Sequence, residues 1–224
     1  MAFPVFDPAT MAVDSRCDEP AVPAERINPQ WLRYRFSNPP AWIPEVMPER
    51  PLTVGRNRWI PAAVLVPIVV HDEDDLRVLL TRRAAHLQDH AGQISFPGGR
   101  VDLTDSSRIE TALREMEEEV GVGRHCVDIL GTLPEYLTGT GYRVMPVVSL
   151  VHPPFSIQTD PYEVAEVFEV PLSWLLTGAN YERRSADIPG RAERITFYAV
   201  PYQSYMIWGA TAGMLRNLFH FLRT

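Results

Sequence analysis

The sequence predicts an α/β layered domain, and three features of its 224 residues predict it. Apolar, valine-rich runs that read as strands lie both before and after one central helix. That helix has an apolar stripe and carries its own start and stop signals. A second helix closes the chain. Strands and helices in this order bury their apolar faces best as layers.

Residues 1–50 read as a proline-rich N-terminal arm, and residues 51–224 as the folded domain. Nine of the 21 prolines fall in the arm, where they remove donors and interrupt any helix or central strand. Trp31, Leu32, Tyr34, Phe36, Trp42, Ile43 and Val46 are apolar enough to dock, either on the domain or on a neighbouring subunit. Up to about Asn28 the alternative is an unattached tail. Ala62–Val70 reads as a buried strand, with Pro67 suggesting a bulge or an edge position. His71-Asp72-Glu73-Asp74-Asp75 is a solvated turn, and Leu76–Thr81 returns as the second strand of a hairpin. His86 and His90 follow in a loop. Their spacing of four would suit a metal pair on a helix, whereas in a loop they read as polar or substrate-contacting residues.

Beyond the central helix, Val127–Leu133 and Val144–Val151 read as strands, with the polar Thr138–Tyr142 loop between them. Glu163 to Glu169 interleaves acids with Val164 and Val167, Pro171 to Leu176 suggests a short helix, and Ile195–Tyr202 is another strand. Trp208–Leu222 closes the chain as a helix, with Met214, Leu218 and Phe221 on its apolar side.

A net charge of −7 and a pI near 5.4 argue against nucleic-acid or anionic-membrane binding, which needs a basic footprint. A phosphate substrate remains compatible, because a bound metal and a few arginines reverse the sign locally. Cys17 and Cys126 suggest neither a disulfide scaffold nor a zinc site, so a reducing cytoplasm is the expected setting. No transmembrane run or signal peptide is expected. Trp31, Trp42, Phe219 and Phe221 suit either a homodimer interface or the core.

The central helix repays closer reading. Ser107 and Glu110 form an S-x-x-E capping box and Gly121 is a natural stop. Ile109, Ala112, Leu113, Met116 and Val120 line one apolar stripe. Glu115, Glu118 and Glu119 stand at i, i+3 and i+4, so their carboxylates project together from another face. Like charges so placed cost roughly 0.2–0.5 kcal/mol per pair unless something compensates. One reading is a solvated acidic surface in which Arg114 pairs with Glu118. The other is a site for a hard dication, Mg²⁺ or Mn²⁺, held by oxygen ligands. Gly98 and Gly99 upstream favour the second, since glycines let the backbone approach a diphosphate.

The run Arg114-Glu115-Met116-Glu117-Glu118-Glu119-Val120-Gly121-Val122 resembles the second half of the Nudix box at every fixed position. The first half departs from the general pattern. The usual acid falls on Asp105, and one additional residue precedes Arg114. That departure, with Leu79-Leu80-Thr81-Arg82-Arg83 and Gly92-Gln93-Ile94-Ser95-Phe96-Pro97-Gly98-Gly99, resembles the coenzyme A pyrophosphatase branch of the Nudix hydrolases. The resemblance is strong over about residues 60–122 and loose elsewhere.

It implies an α/β/α sandwich with a mixed sheet and a metal-dependent pyrophosphohydrolase. By this resemblance Glu115, Glu118 and Glu119 hold metal, helped by the Gly98 carbonyl, and Arg114 holds a box glutamate in place. Asp105 is then a helix cap or a partner of Arg114. Glu118 is the first candidate for the water-activating base, with Glu163 and Glu166 as alternatives. Arg82, Arg83, Gly98 and Gly99 contact the substrate, as expected for coenzyme A or its acyl and oxidised forms. The branch commonly has Ser and Arg where this chain has Ala84 and Gln88, and Arg143 is a substitute contact. The rival readings are hydrolysis of another nucleoside diphosphate derivative, such as ADP-ribose or NADH, and a non-catalytic Nudix-fold binding protein.

Overall fold

The computed structural model describes residues 7–45, 59–72, 75–87, 90–187 and 194–224. Val46, Glu73, Asp74 and Gln88 lie outside the described residues. In chain order the strands are β1 (Val13–Arg16), β2 (Ile60–Asp72), β3 (Asp75–Arg83), β4 (Ile94–Ser95), β5 (Gly98–Arg100) and β6 (Val127–Thr132). They continue with β7 (Tyr136–Leu137), β8 (Tyr142–Val151), β9 (Val164–Pro171), β10 (Glu182–Ala186), β11 (Ile195–Tyr202) and β12 (Tyr205–Trp208). The helices are α1 (Pro29–Ser37), α2 (Arg108–Val120), α3 (Leu172–Leu175) and α4 (Gly209–Arg223).

The large sheet runs β4-β3-β2-β8-β6, with β5 on β2, β7 on β8 and β9 on β3. It is mixed: β2 pairs β8 in parallel over ten positions, from Ile60 opposite Tyr142 to Val69 opposite Val151, and its other partners are antiparallel. Buried on both faces, β2 reads as a near-continuous apolar run. Ala63, Leu65 and Val69 pack under Ala112, Met116 and Val120 of α2. Val66 and Ile68 point the other way, into the core shared with Leu215, Leu218 and Phe219 of α4. The sheet is thus enclosed between α2 and α4, the expected sandwich. Pro67 marks neither an edge nor a bulge. It stands between Val64, the last residue paired with β5, and Ile68, the first paired with β3, where a missing donor is tolerated.

Three elements depart from expectation. Residues 29–37 form a helix despite their prolines, because Asn28 accepts from the Trp31 amide at 2.8 Å and Pro29 occupies the first turn, where no donor is needed. A second sheet, β1-β10-β11-β12, includes two strands with no legible signal, β10 and β12. In β10 the charged pair Glu182 and Arg184 is buried, 2.6 Å apart. Arg184 also donates to the carbonyls of Pro8, Ala9 and Met11. Phe219 and Phe221 are buried inside the chain's own core.

A polar clasp joins the N-terminal segment to α4. Arg216 is buried, pairs with Glu19 and with Glu45 (3.3 Å), and lies over the rings of Tyr181, Tyr198 and Phe219. Glu45 also accepts from Tyr198 and pairs with His220 at 3.0 Å. The hydrogen bond with His220, joined by those from Tyr198 and Arg216, holds the Glu45 carboxyl down at about 2 against the opposing effect of burial. A depressed carboxyl stabilises the fold above its ordinary value of 4.5, and that stabilisation fades as pH falls toward about 2. Glu45→Gln should therefore cost about 1.5–3 kcal/mol at pH 7, the scale of hydrogen bonds to a charged group. The deficit should shrink at acid pH. Urea midpoints of both proteins between pH 7 and pH 3 check this, and parallel curves would refute it.

Candidate active site

The site is built where β5 meets α2. Gly98 pairs with Val64 on β2, and a side chain there would meet the Ala63 carbonyl at 2.5 Å. A Cβ on Gly99 would stand 2.3 Å from Glu115 Oε1. The double glycine therefore lets backbone lie directly against the helix carboxylates. The Gly98 amide donates to Glu119 Oε2 at 3.3 Å.

Helix α2 is capped as expected at Ser107, which accepts from the Glu110 amide at 3.2 Å. The reciprocal half of the capping box does not form, because the Glu110 carboxylate pairs with Arg124 at 3.0 Å. Gly121 ends the helix in the left-handed conformation, φ +79°.

The three glutamates do not share one environment. Glu118 is 59% exposed at its side chain, Glu115 is largely covered, and Glu119 is 3% exposed. Burial pushes the Glu119 carboxyl up to about 8, and the charge of Glu115 adds to the push, while Arg83 and the Gly98 amide oppose it. Burial also raises Glu115. Arg83 is the cation beside Glu119, its Nη1 4.0 Å from Oε1, and its buried Nε has no hydrogen-bond partner.

Arg114 is the hub. Its Nε and Nη2 grip Asp105 at 2.9 and 3.1 Å, and its Nη1 donates to both Glu115 and Glu118 at 2.9 Å. Its Nη2 also reaches the Arg100 carbonyl at 3.3 Å. Asp105 is the partner of Arg114 and not the cap. Its carboxyl is held far below the usual carboxylate range, chiefly by Arg114.

The remaining sequence candidates separate. Glu163 precedes β9, its carbonyl accepting from the Ala84 amide at 2.8 Å, and its charge adds to the upward push on Glu115 and Glu119. Glu166 is occupied elsewhere, by Arg82 at 2.5 Å and by the Tyr205 hydroxyl at 2.7 Å, so Arg82 and Glu166 do not join the glutamate cluster. Arg143 shares Glu135 with Arg108. His90 is hydrogen-bonded to Gln93 at 2.7 Å, and His86 is exposed. Sequence reasoning passed over Arg100 and Tyr142, although Arg100 directly follows the double glycine.

Among the described residues no three His, Cys, Asp or Glu side chains form a ready metal cage. The donor chemistry nevertheless suits a hard dication. Glu115 and Glu119 supply hard oxygen donors that repel each other; Arg114 pairs with Glu115, while the only cation beside Glu119 among the described residues is Arg83 at 4.0 Å.

The NUDIX domain family matches residues 59–186. This chain belongs to the Nudix hydrolase family. The Nudix hydrolase NudL of Photorhabdus laumondii is 45% identical over 157 residues, which cover 70% of this chain and 82% of that protein. NudL of Escherichia coli K12 is 44% identical over 157 residues, 70% of this chain and 80% of its own. Among solved structures, the MutT protein of Methanosarcina mazei aligns at 25% identity with a TM-score of 0.43, covering 55% of this chain and 84% of that one. As a Nudix hydrolase the chain acts on phosphoanhydride bonds, and such enzymes generally require a divalent metal. No helix among the described residues is long and apolar enough to cross a membrane.

Two outcomes follow from this geometry. Gly99→Ala should displace Glu115 and lower phosphoanhydride hydrolysis by about 10²-fold, the cost of misplacing a group by an ångström. A steady-state assay on a folded variant measures it. The raised Glu119 carboxyl has the opposite sign to Glu45: between pH 4.5 and about 8 the folded state binds the extra proton, so stability falls as pH rises through that window. In chelator-treated protein, Glu119→Gln should therefore raise the melting temperature more at pH 9 than at pH 5. Equal shifts at both pH values would contradict the burial account.

Proposed function

We propose that this Nudix hydrolase cleaves the diphosphate of coenzyme A, or of its acyl or oxidised forms. The products are 3′,5′-ADP and (acyl-)4′-phosphopantetheine. The observation that carries the reading is the Glu115–Glu119 pair packed against the backbone of Gly98 and Gly99. The coenzyme A preference is supported by the sequence pattern of residues 79–83 and 92–99 and by Arg83 beside the cluster.

Glu115 and Glu119, with Glu118 at the rim, would hold Mg²⁺ or Mn²⁺, and the Gly98 carbonyl would assist. Such a dication, when bound, neutralises phosphate charge and lowers the pKa of water. Arg114 orients Glu115 and Glu118 through Nη1 while Asp105 fixes its other edge. Gly98 and Gly99 admit the diphosphate, and Arg83 offers its buried Nε–H to a phosphoryl oxygen. A water oxygen forms the new bond to phosphorus, the bridging P–O bond breaks, and a carboxylate takes the water proton. Glu163 or Glu118 is that base; Glu166 is excluded from first place by its bonds to Arg82 and Tyr205.

Residues 51–224 make up the hydrolase domain in this reading, with residues 1–50 as an arm laid on it. The Glu19 and Glu45 contacts to Arg216 support that placement. A second reading, hydrolysis of another nucleoside diphosphate derivative, is favoured by Ala84 and Gln88, which lack the branch's usual Ser and Arg.

Product analysis after incubation with Mg²⁺ or Mn²⁺ and either coenzyme A or ADP-ribose separates the two. Coenzyme A left intact while ADP-ribose is cleaved would overturn the first reading. Glu119→Gln should lower turnover ~10²-fold or more, the scale of one major electrostatic contributor, and unchanged turnover would remove the metal assignment. Glu163→Gln should flatten the acid limb of the pH–rate profile if Glu163 is the base, whereas Glu166→Gln should not.

A further inference from the structure

A helix leaves its last carbonyls without partners of its own, and in α2 those carbonyls decide what lies beside the glutamate cluster. Glu119 accepts from the Asp160 amide at 3.2 Å, and Val120 accepts from the Gln158 amide at 2.8 Å. A side chain on Gly121 would stand 2.8 Å from Gln158 Cβ, so the segment after β8 is packed onto the helix end. From there the chain turns back to begin β9 at Val164.

Asp160 makes that turn. Its carbonyl accepts from the Glu163 and Val164 amides, at 3.1 and 2.8 Å, and its Oδ1 accepts from the Tyr162 amide at 2.8 Å. A side-chain acceptor two residues upstream of the donor closes an Asx turn. Glu163 sits at the end of this turn, and its carbonyl accepts from the Ala84 amide at 2.8 Å. Ala84 directly follows Arg83, whose guanidinium stands 4.0 Å from Glu119. The turn is therefore tied to the Glu119 backbone on one side and to the end of β3 on the other. Glu163 is exposed, and its charge is felt by both Glu115 and Glu119. Among the described residues no cation pairs with its carboxylate, whereas Arg114 holds Glu118 at 2.9 Å.

We infer that Asp160 is a positioning residue, which fixes Glu163 beside Glu115 and Glu119 so that Glu163 takes the proton of the attacking water. The inference rests on the diphosphatase reading and deepens it by naming the base. As the water oxygen bonds to phosphorus, its proton passes to the Glu163 carboxylate. The bridging P–O bond breaks, and its electron pair leaves with the departing phosphoryl oxygen. Asp160 touches neither water nor phosphate. It acts through the backbone of Glu163, and what it contributes is an acceptor oxygen rather than a charge. Without that acceptor an exposed turn samples other conformations, and a carboxylate misplaced by about 1 Å costs up to about 10²-fold in rate.

The test uses the full-length protein with Mg²⁺ and whichever of coenzyme A and ADP-ribose the wild type cleaves, so that it does not depend on the substrate. Glu163→Gln should lower kcat about 10²-fold, the scale of one general base. Asp160→Ala should lower kcat about tenfold while KM stays within about twofold. Asp160→Asn, which keeps the acceptor oxygen without the charge, should restore most of the loss. Asp160→Ser, whose hydroxyl closes the turn more weakly, should fall between, and it carries the test if Asp160→Ala does not fold. In the Glu163→Gln background, Asp160→Ala should lower kcat no further. Additive falls, Asp160→Asn as slow as Asp160→Ala, or an unchanged kcat in Glu163→Gln would each overturn the inference and leave the diphosphatase reading standing. Cleavage of neither substrate by the wild type would remove both.

Discussion

One buried carboxylate constrains the whole site. Glu119 follows Glu118 on α2 by a single position yet is almost wholly covered, because Met116 and Val120 draw that side of the helix onto the sheet while Gly98 closes over it. A carboxylate so placed is costly unless paired or neutralised. The neighbouring Glu115 makes it costlier, and Arg83 stands too far off to cancel the charge. The fold maintains this unfavourable arrangement through the favourable packing of α2 on β2. That is the pattern expected where stability is given up for chemistry.

Around this constraint the other parts have separate tasks. Gly99 leaves the space that Glu115 fills, and Arg114 ties Glu115, Glu118, Asp105 and the Arg100 carbonyl into one network. The segment carrying the glycines is held from below as well. Thr111 of α2 donates to Asp105, and Thr211 of α4 donates to the Ile94 carbonyl at 2.9 Å. Helix α4 is itself pinned by Arg216, whose partners Glu19 and Glu45 come from the N-terminal segment. Contacts 171 to 197 residues apart in sequence thus hold the helix that supports the glycine segment.

Much of the sandwich was legible because its signals are local. The β2 run is apolar on both faces, α2 has its stripe and cap, and the β3, β8 and β11 strands alternate or run apolar between turns. The Nudix pattern placed the glutamates, Arg114 and the glycines on adjacent elements. What misled was proline and charge. Pro29 starts a helix where prolines had argued against one, and Pro67 sits mid-sheet at a change of partner. The Glu-Arg-Arg run of β10 has no apolar period, and its burial depends on an internal ion pair and on carbonyls from residues 8–11.

The sequence by itself determined the family, the central helix and the identity of its carboxylates, since these follow from residue type and spacing within one short stretch. Only the tertiary structure decided how those carboxylates differ. Helical spacing placed all three on one face, but burial depends on what packs above, and that put Glu119 under Gly98 and left Glu118 in solvent. It also sorted the arginines, turning Arg82 toward Glu166 and Arg100 toward the Tyr142 hydroxyl. Partner choice across strands depends on sheet register, which no local pattern of charges specifies.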